Sequence, residues 1–329
     1  MLPVQIAGMG YHLPAQVVTS AALEAQLRLP AGWIERAAGV RERRYATQET
    51  ASGMATAASQ AALTQAGLTP GDLDLIVGAS SAPQQAIPCT AALVQRSLAA
   101  PDGRSACYDV NATCLSFLFA LQQVAHLIAA GVHQTALIFS SEVSFRSLNP
   151  AEPESAVLFG DSAVAAVVTR APAGAASTIH HARFETHGSG ADLTRLLGGG
   201  SLHHPNDPAT TTADNMFHMD GGGVFKKAVR LIGPFLDSFL AAMGWSRGEI
   251  DCVVPHQASR HGVDLLTARL GFRHDQVYSN LAVRGNCIAA SIPLALAEAV
   301  ESGAVRRGSR VLLIGTGAGL TIGAVGLTY

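Results

Sequence analysis

One local pattern occurs twice in this chain, far apart: a helix-like stretch, a polar turn holding glycine, then a short run rich in Val, Ile and Leu. Residues 55–68 lead through Thr69-Pro70-Gly71-Asp72 into 73–78, and residues 229–245 lead through Ser246-Arg247-Gly248-Glu249 into 250–255. A second echo has helix-like 114–130 closing at Gly131 before the strand 135–139. Its counterpart is helix-like 286–302, closing at Gly303 before 310–315. Apolar strands alternating with helices need a sheet covered on both faces, because an open face would leave those side chains in water. Two such halves, 1–172 and 173–329, stack into an α/β/α/β/α sandwich with a pseudo-twofold axis. Aligning the closing glycines places Cys114 and Asn286 at corresponding helix starts. The active centre is expected where helix N-termini from both halves converge.

Composition narrows the function classes. The 329 residues are 48% hydrophobic and 14% charged, which suits a substantial buried core. A formal net charge of −2 carries no electrostatic footprint for nucleic acid. The opening Met1-Leu2-Pro3-Val4-Gln5-Ile6-Ala7-Gly8 lacks the basic region and long apolar run of an export signal, and reads as a first strand. No apolar stretch reaches bilayer-spanning length, so no membrane association is expected. Five cysteines (Cys89, Cys107, Cys114, Cys252, Cys287) are scattered and odd in number, which argues against a disulfide framework and for a reducing cytoplasm. The pairs His180-His181 and His203-His204 have no third ligand at useful spacing, so no metal is expected. Gly198-Gly199-Gly200 lies in an irregular region, 188–220, and lacks the Lys-Ser/Thr ending of a phosphate loop.

Cys114 is the residue whose placement suggests chemistry. It sits in Asn111-Ala112-Thr113-Cys114-Leu115-Ser116-Phe117, where strand-like 106–110 gives way to a long apolar helix. Unpaired, partly positive amides at a helix N-terminus favour the thiolate, which is the nucleophilic form. A buried cysteine alone is more often a small packing residue. Two later segments supply what a nucleophile needs, a proton acceptor in Pro255-His256-Gln257-Ala258 and a carboxamide donor in Gly285-Asn286.

Together these residues resemble the thiolase-fold condensing enzymes, specifically β-ketoacyl-[acyl-carrier-protein] synthase III and its relatives. Gly39-Val40-Arg41-Glu42-Arg43 resembles the family's Gly-Ile-Arg-Glu-Arg element, and Phe159-Gly160-Asp161-Ser162-Ala163 its Phe-Gly-Asp-Gly-Ala element. Ala289-Ala290-Ser291-Ile292-Pro293 and Gly315-Thr316-Gly317-Ala318-Gly319 complete the set in the family's order. The resemblance implies a thiolase-like, duplicated five-layered sandwich and a decarboxylative Claisen condensation. Cys114 would carry an acyl group from an acyl-CoA. His256 and Asn286 would hold the thioester carbonyl of malonyl-CoA or of malonyl on acyl carrier protein, and the N–H groups of Cys114 and Ala318 would meet the second oxyanion. A homodimer is implied and no cofactor beyond the substrates.

Departures from the family pattern bear on substrates. Trp33 is kept, but Ala37 stands where an arginine is usual, with Arg36 one place off; Ser259 and His261 replace an Asn and an Arg. Lys226 matches a basic position linked to carrier docking, and Ile87, before Pro88, the position that enters a partner's acyl pocket. Ile87 cannot abstract a proton, which disfavours the head-to-head relatives that place a Glu there. Phe159, Leu196, Leu197, Phe217, Met219 and Phe225 are expected to line the acyl site. An acyltransferase using Cys114 without decarboxylation, and a non-catalytic acyl-binding partner, are the alternatives. Asn286 disfavours the first, and the intact Cys114, His256 and Asn286 the second. Cys287 lacks the Cys-x-Gly setting of a biosynthetic thiolase.

Overall fold

Two mixed sheets of matching strand order build the molecule. The computed structural model describes residues 1–329, the side chains of Leu266 and Ala268 aside. The first sheet runs Val4–His12, Ser162–Arg170, Thr135–Glu142, Leu75–Gly78, Ala106–Asp109. Its first two neighbour pairs are antiparallel and its last two parallel. The second sheet runs Thr178–Gly190, Gly319–Thr328, Arg310–Gly317, Cys252–Pro255, with two antiparallel pairs followed by a parallel one. A parallel bridge from Val253 to Val277 stands where the fifth strand would lie.

Strand side chains alternate between layers, as the pleat requires. Leu75, Val77, Ala136 and Ile138 face the molecular centre, and Ile76, Leu137 and Phe139 face outward. In the second sheet Val311 and Leu313 face the centre, whereas Leu312 and Ile314 face out. The helices Ser116–Ala129 and Ser291–Glu301 fill the space between the sheets. Each fully buried Leu or Val there contributes roughly 1.5–3 kcal/mol of transfer energy. Ala51–Ala66 and Thr90–Ser97 cover the first sheet's outer face, and Gly221–Met243 and Arg260–Ala268 cover the second's. Five layers result. The helix Ala51–Ala66 lies so close to the first strand that a Cβ on Gly10 would fall 2.5 Å from the Ala58 carbonyl oxygen.

Two expectations are corrected. The long helix before the second sheet starts at Gly221, not at 229, and ends at Met243. Asp220 accepts the Gly223 N–H at its N-terminus, and this cap lets three glycines join the helix. The alignment of Cys114 with Asn286 is also three residues out. Asn111 Oδ1 accepts the Thr113 N–H at 2.9 Å and Asn286 Oδ1 accepts the Ile288 N–H at 2.9 Å; Thr113 and Ile288 both have φ 51°. The counterpart of Asn286 is therefore Asn111, and that of Cys114 is Ala289. The helices that follow have 14 and 11 residues, so their closing glycines are out of step with their starts.

Candidate active site

Cys114 stands on a tight elbow between a strand and the first central helix. The left-handed φ of Thr113 costs roughly 1–2 kcal/mol in a non-glycine residue. Local hydrogen bonds offset it: Asn111 Oδ1 takes the Thr113 N–H, and Thr113 Oγ1 donates to the Ala112 carbonyl at 2.8 Å. Asn111 Nδ2 anchors the elbow to the Ser81 carbonyl at 2.9 Å, and Ser116 Oγ donates to the Ser80 carbonyl at 3.2 Å.

The strand Arg310–Gly317 brings the second half against this elbow. A Cβ on Gly317 would lie 2.9 Å from Thr113 Oγ1 and 3.5 Å from the Cys114 nitrogen. Two residues back, on the same face, a Cβ on Gly315 would lie 2.5 Å from His256 Cβ. His256 leaves the end of the strand Cys252–Pro255 and donates its N–H to the Ile314 carbonyl at 2.8 Å. The next side chain, Gln257, is fully buried, and its Oε1 accepts from Ser279 Oγ, the Asn280 N–H and the Leu281 N–H.

Asn286 is positioned by the Phe-Gly-Asp segment. Its N–H donates to the Leu158 carbonyl at 2.8 Å, and the Gly160 N–H donates to its carbonyl at 3.1 Å. A Cβ on Gly160 would fall 2.1 Å from the Arg284 carbonyl oxygen, so only glycine permits this crossing. Asn286 Oδ1 is consumed by the Ile288 N–H and by Ser291 Oγ at 3.4 Å. That fixes the amide's orientation and, among the described residues, leaves its Nδ2 without a protein partner. Arg43, fully buried, ties the same region to Ser20 Oγ and the Val157 carbonyl.

A cavity of about 650 Å³ opens onto His256 and Asn286. Trp33, Met219, Phe225 and Ser259, four of the residues expected to bind substrate, line it, and Ala37 lines it as well. Phe159 and Phe217 do not; they meet edge to face at 4.9 Å, and Phe159 is buried beside Asn286. Leu197 lies outside the cavity wall and Leu196 is 45% exposed. Ile87 is 84% exposed in this single chain, on a segment next to the Ser80-Ser81 turn. Cys114 and Ala318 flank Gly317, one residue beyond the wall residues Gly315 and Thr316. Lys226 is exposed near the start of the helix Gly221–Met243, whereas Lys227 is bonded to Ser189. Among the described residues the charged groups on the wall are Glu152 and Glu154, with no Lys or Arg. His180 and His181 pack with tilted rings against Trp245 and Phe239, and His203 pairs with Asp214 at 3.4 Å.

The electrostatics overturn one expectation. Burial pushes the Cys114 thiol up to about 12, and the Glu142 carboxylate pushes in the same direction. Hydrogen bonds from the N–H groups of Ala318 and Cys114 and from Thr113 oppose this without reversing it. The helix N-terminus does not hold a resting thiolate, because desolvation of the charged sulfur outweighs the amides. Burial also pulls His256 down to about 4, so its imidazole is neutral. Glu142, absent from the sequence reading, is the surprise. It is 2% exposed and burial lifts its carboxyl to about 8. A lone Glu at a strand end gives no sequence signal of burial.

Comparison with known proteins agrees with this architecture. The families described as 3-Oxoacyl-[acyl-carrier-protein (ACP)] synthase III and its C-terminal region match residues 108–188 and 240–329. A β-ketoacyl-[acyl-carrier-protein] synthase III of Streptomyces coelicolor is 35% identical over 98% of this chain and 96% of its own. The crystal structure of the Aquifex aeolicus 3-oxoacyl-[acyl-carrier-protein] synthase III superposes with a TM-score of 0.89 at 36% identity, covering 99% and 100% of the two chains. The priming β-ketosynthase of a polyketide biosynthetic pathway superposes with a TM-score of 0.90 at 30% identity, over 98% and 96%. The five-layered sandwich is thus the thiolase fold expected from the motifs, and the chain is an enzyme of the acyltransferase class. It belongs to the β-ketoacyl-[acyl-carrier-protein] synthase III family.

Proposed function

We propose that this chain catalyses decarboxylative Claisen condensation of an acyl starter, carried on Cys114, with a malonyl thioester. The observation that carries this reading is the pairing of a neutral His256 with an Asn286 whose oxygen is engaged and whose Nδ2 is free, on one cavity wall. Two neutral donors suit a thioester carbonyl that becomes an enolate oxygen as CO2 leaves. A general base for direct proton abstraction would be a carboxylate there, and Ile87 cannot serve as one.

The half 1–172 supplies the nucleophile and 173–329 the two donors. In the first stage Cys114 attacks the starter thioester. Its proton passes by way of the neutral His256 imidazole to the departing thiolate, which leaves as a free thiol. The N–H groups of Cys114 and Ala318 receive the oxyanion. In the second stage the malonyl thioester loses CO2 against His256 and Asn286, and the resulting carbanion attacks the acyl carbonyl. Cys114 departs as thiolate, takes a proton from water to regain its resting thiol, and a β-ketoacyl thioester remains. Sulfur, imidazole, carboxamide and backbone amides act together with that solvent proton.

The proposed starter is an acyl-CoA, the extender malonyl-CoA or malonyl on acyl carrier protein, and the Lys226 face the carrier's docking side. The proposed assembly is a homodimer in the cytoplasm, in which the exposed Ile87 packs into the partner's acyl site. No helix of the structure is long and apolar enough to cross a membrane.

The test is a panel of radiolabelled starters, each offered on CoA and on carrier protein, followed by a malonyl thioester. The acidic residues on the cavity wall make the carrier-bound arm worth running. Labelled enzyme followed by CO2 and a product two carbons longer is the expected result; acyl transfer without CO2 would refute it. A second expectation concerns pH. With His256 pulled down to about 4, decarboxylation by acylated enzyme stays level between about pH 7 and pH 5, where an unperturbed imidazole titrates. A fall centred near the ordinary histidine value would show that the imidazole is not held neutral.

A further inference from the structure

We propose that Glu142 is a positioning residue that clamps the Cys114 elbow to the Asn286 elbow and so sets the spacing between sulfur and carboxamide. This rests on the condensation reading above. Glu142 ends the strand Thr135–Glu142, which packs against the first central helix and the turn that opens the second. The Ser81 N–H donates to one carboxylate oxygen at 2.7 Å and Ser81 Oγ bonds to the other at 2.5 Å. Ser81 in turn accepts Asn111 Nδ2 at its carbonyl, and its neighbour Ser80 accepts Ser116 Oγ. Asn111 and Ser116 bracket Cys114. On the other side the Ala289 N–H faces the same carboxyl and favours its charged form, from a turn that packs against the strand Thr135–Glu142. Ala289 is the twofold counterpart of Cys114 and lies three residues after Asn286, on the same elbow.

One group therefore sits at the junction of two turns that come from opposite halves of the chain. Its setting is not one that stability favours. Among the described residues it has no Lys, Arg or His partner, and an enclosed carboxyl without a counter-ion costs folding energy. The titratable groups facing it are Cys114 from the first elbow and Asp161 from the start of the adjacent strand, and neither offers a positive charge. Burial keeps the carboxyl largely protonated at neutral pH, which limits its repulsion of a developing charge on Cys114. What the residue provides is geometry: two bonds to the Ser81 turn that anchors one elbow, with the Ala289 amide of the other elbow facing the same carboxyl.

The test uses the intact enzyme and reads folding, Cys114 acylation and condensation separately. In Glu142→Ala, condensation kcat is expected to fall about 100-fold with little change in KM for the malonyl thioester, the size of loss that a misplacement of about 1 Å produces. Glu142→Gln keeps an acceptor for one amide and is expected to recover about tenfold or more of that loss. Ser81→Ala removes one tie and leaves the carboxyl in place, and is expected to lower kcat about tenfold with folding intact. Folded Glu142→Ala at near wild-type kcat, a Glu142→Gln variant no better than Ala, or Ser81→Ala at full rate would each overturn the proposal. Wild-type enzyme in parallel reports on the condensation itself: if it releases no CO2, the functional reading fails independently of Glu142.

Discussion

Cys114→Ala abolishes covalent loading of the starter and lowers condensation by at least about 10⁴-fold, the scale on which removal of a nucleophile acts. The sulfur is the proposed acyl acceptor on the elbow, and the N–H groups of Cys114 and Ala318 face it. The variant should fold normally. The resting thiol is neutral, since burial holds its pKa near 12, so its removal leaves no charge unbalanced. Intact-protein mass spectrometry after incubation with the acyl thioester checks the loading directly. A stoichiometric acyl adduct persisting in the variant would mean another nucleophile. Cys287 is a poor substitute: it is 1% exposed, its thiol is also pushed up to about 12 by burial, and its sulfur is directed at the Arg284 carbonyl.

Asn286→Ala separates the two stages. Acylation of Cys114 is expected to proceed at close to the wild-type rate, while CO2 release from the malonyl thioester falls by about 10²–10³-fold, as when one oxyanion donor is lost. The reason lies in the orientation of the amide. Its oxygen holds the Ile288 N–H and Ser291 Oγ, so Nδ2 is the atom left to donate to a bound thioester. Asn286→Asp is expected to be as inactive, because it places an acceptor where a donor is needed. Removal of the side chain also strands the Ile288 N–H, at a cost of about 1–3 kcal/mol, so both stages are measured on the folded fraction. Radiolabelled malonyl thioester trapped as CO2, beside burst-phase acylation, distinguishes the stages. Equal losses in both would mean that Asn286 acts on the elbow as a whole, and unchanged decarboxylation would remove it from the site.

Much of the sandwich is written in local pattern. The runs 73–78 and 310–315 can be read as strands because burial on both faces leaves no polar position in their central stretches, 75–78 and 311–315. Their helices are legible from length and from Gly131 and Gly303. Helix starts are less so. The glycines at 221–223 hide a helix beginning that Asp220 secures, since a cap depends on one hydrogen bond and not on the composition of the turn it stabilises. The same limit put Cys114 opposite Asn286, because counting back from helix ends assumes helices of equal length.

The chain by itself determined which chemical groups are available: a thiol before a helix, an imidazole after one strand, a carboxamide before the matching helix of the other half. These depend on residue type and short spacing, and both are present in the linear order. The tertiary structure decided the states of those groups. Desolvation reversed the expected ionisation of Cys114 and neutralised His256, and Glu142 acquired its place only when the two halves closed over it. Burial, and the field from a residue distant in the chain, arise from the packing of both sheets around the central helices, and no segment carries them alone.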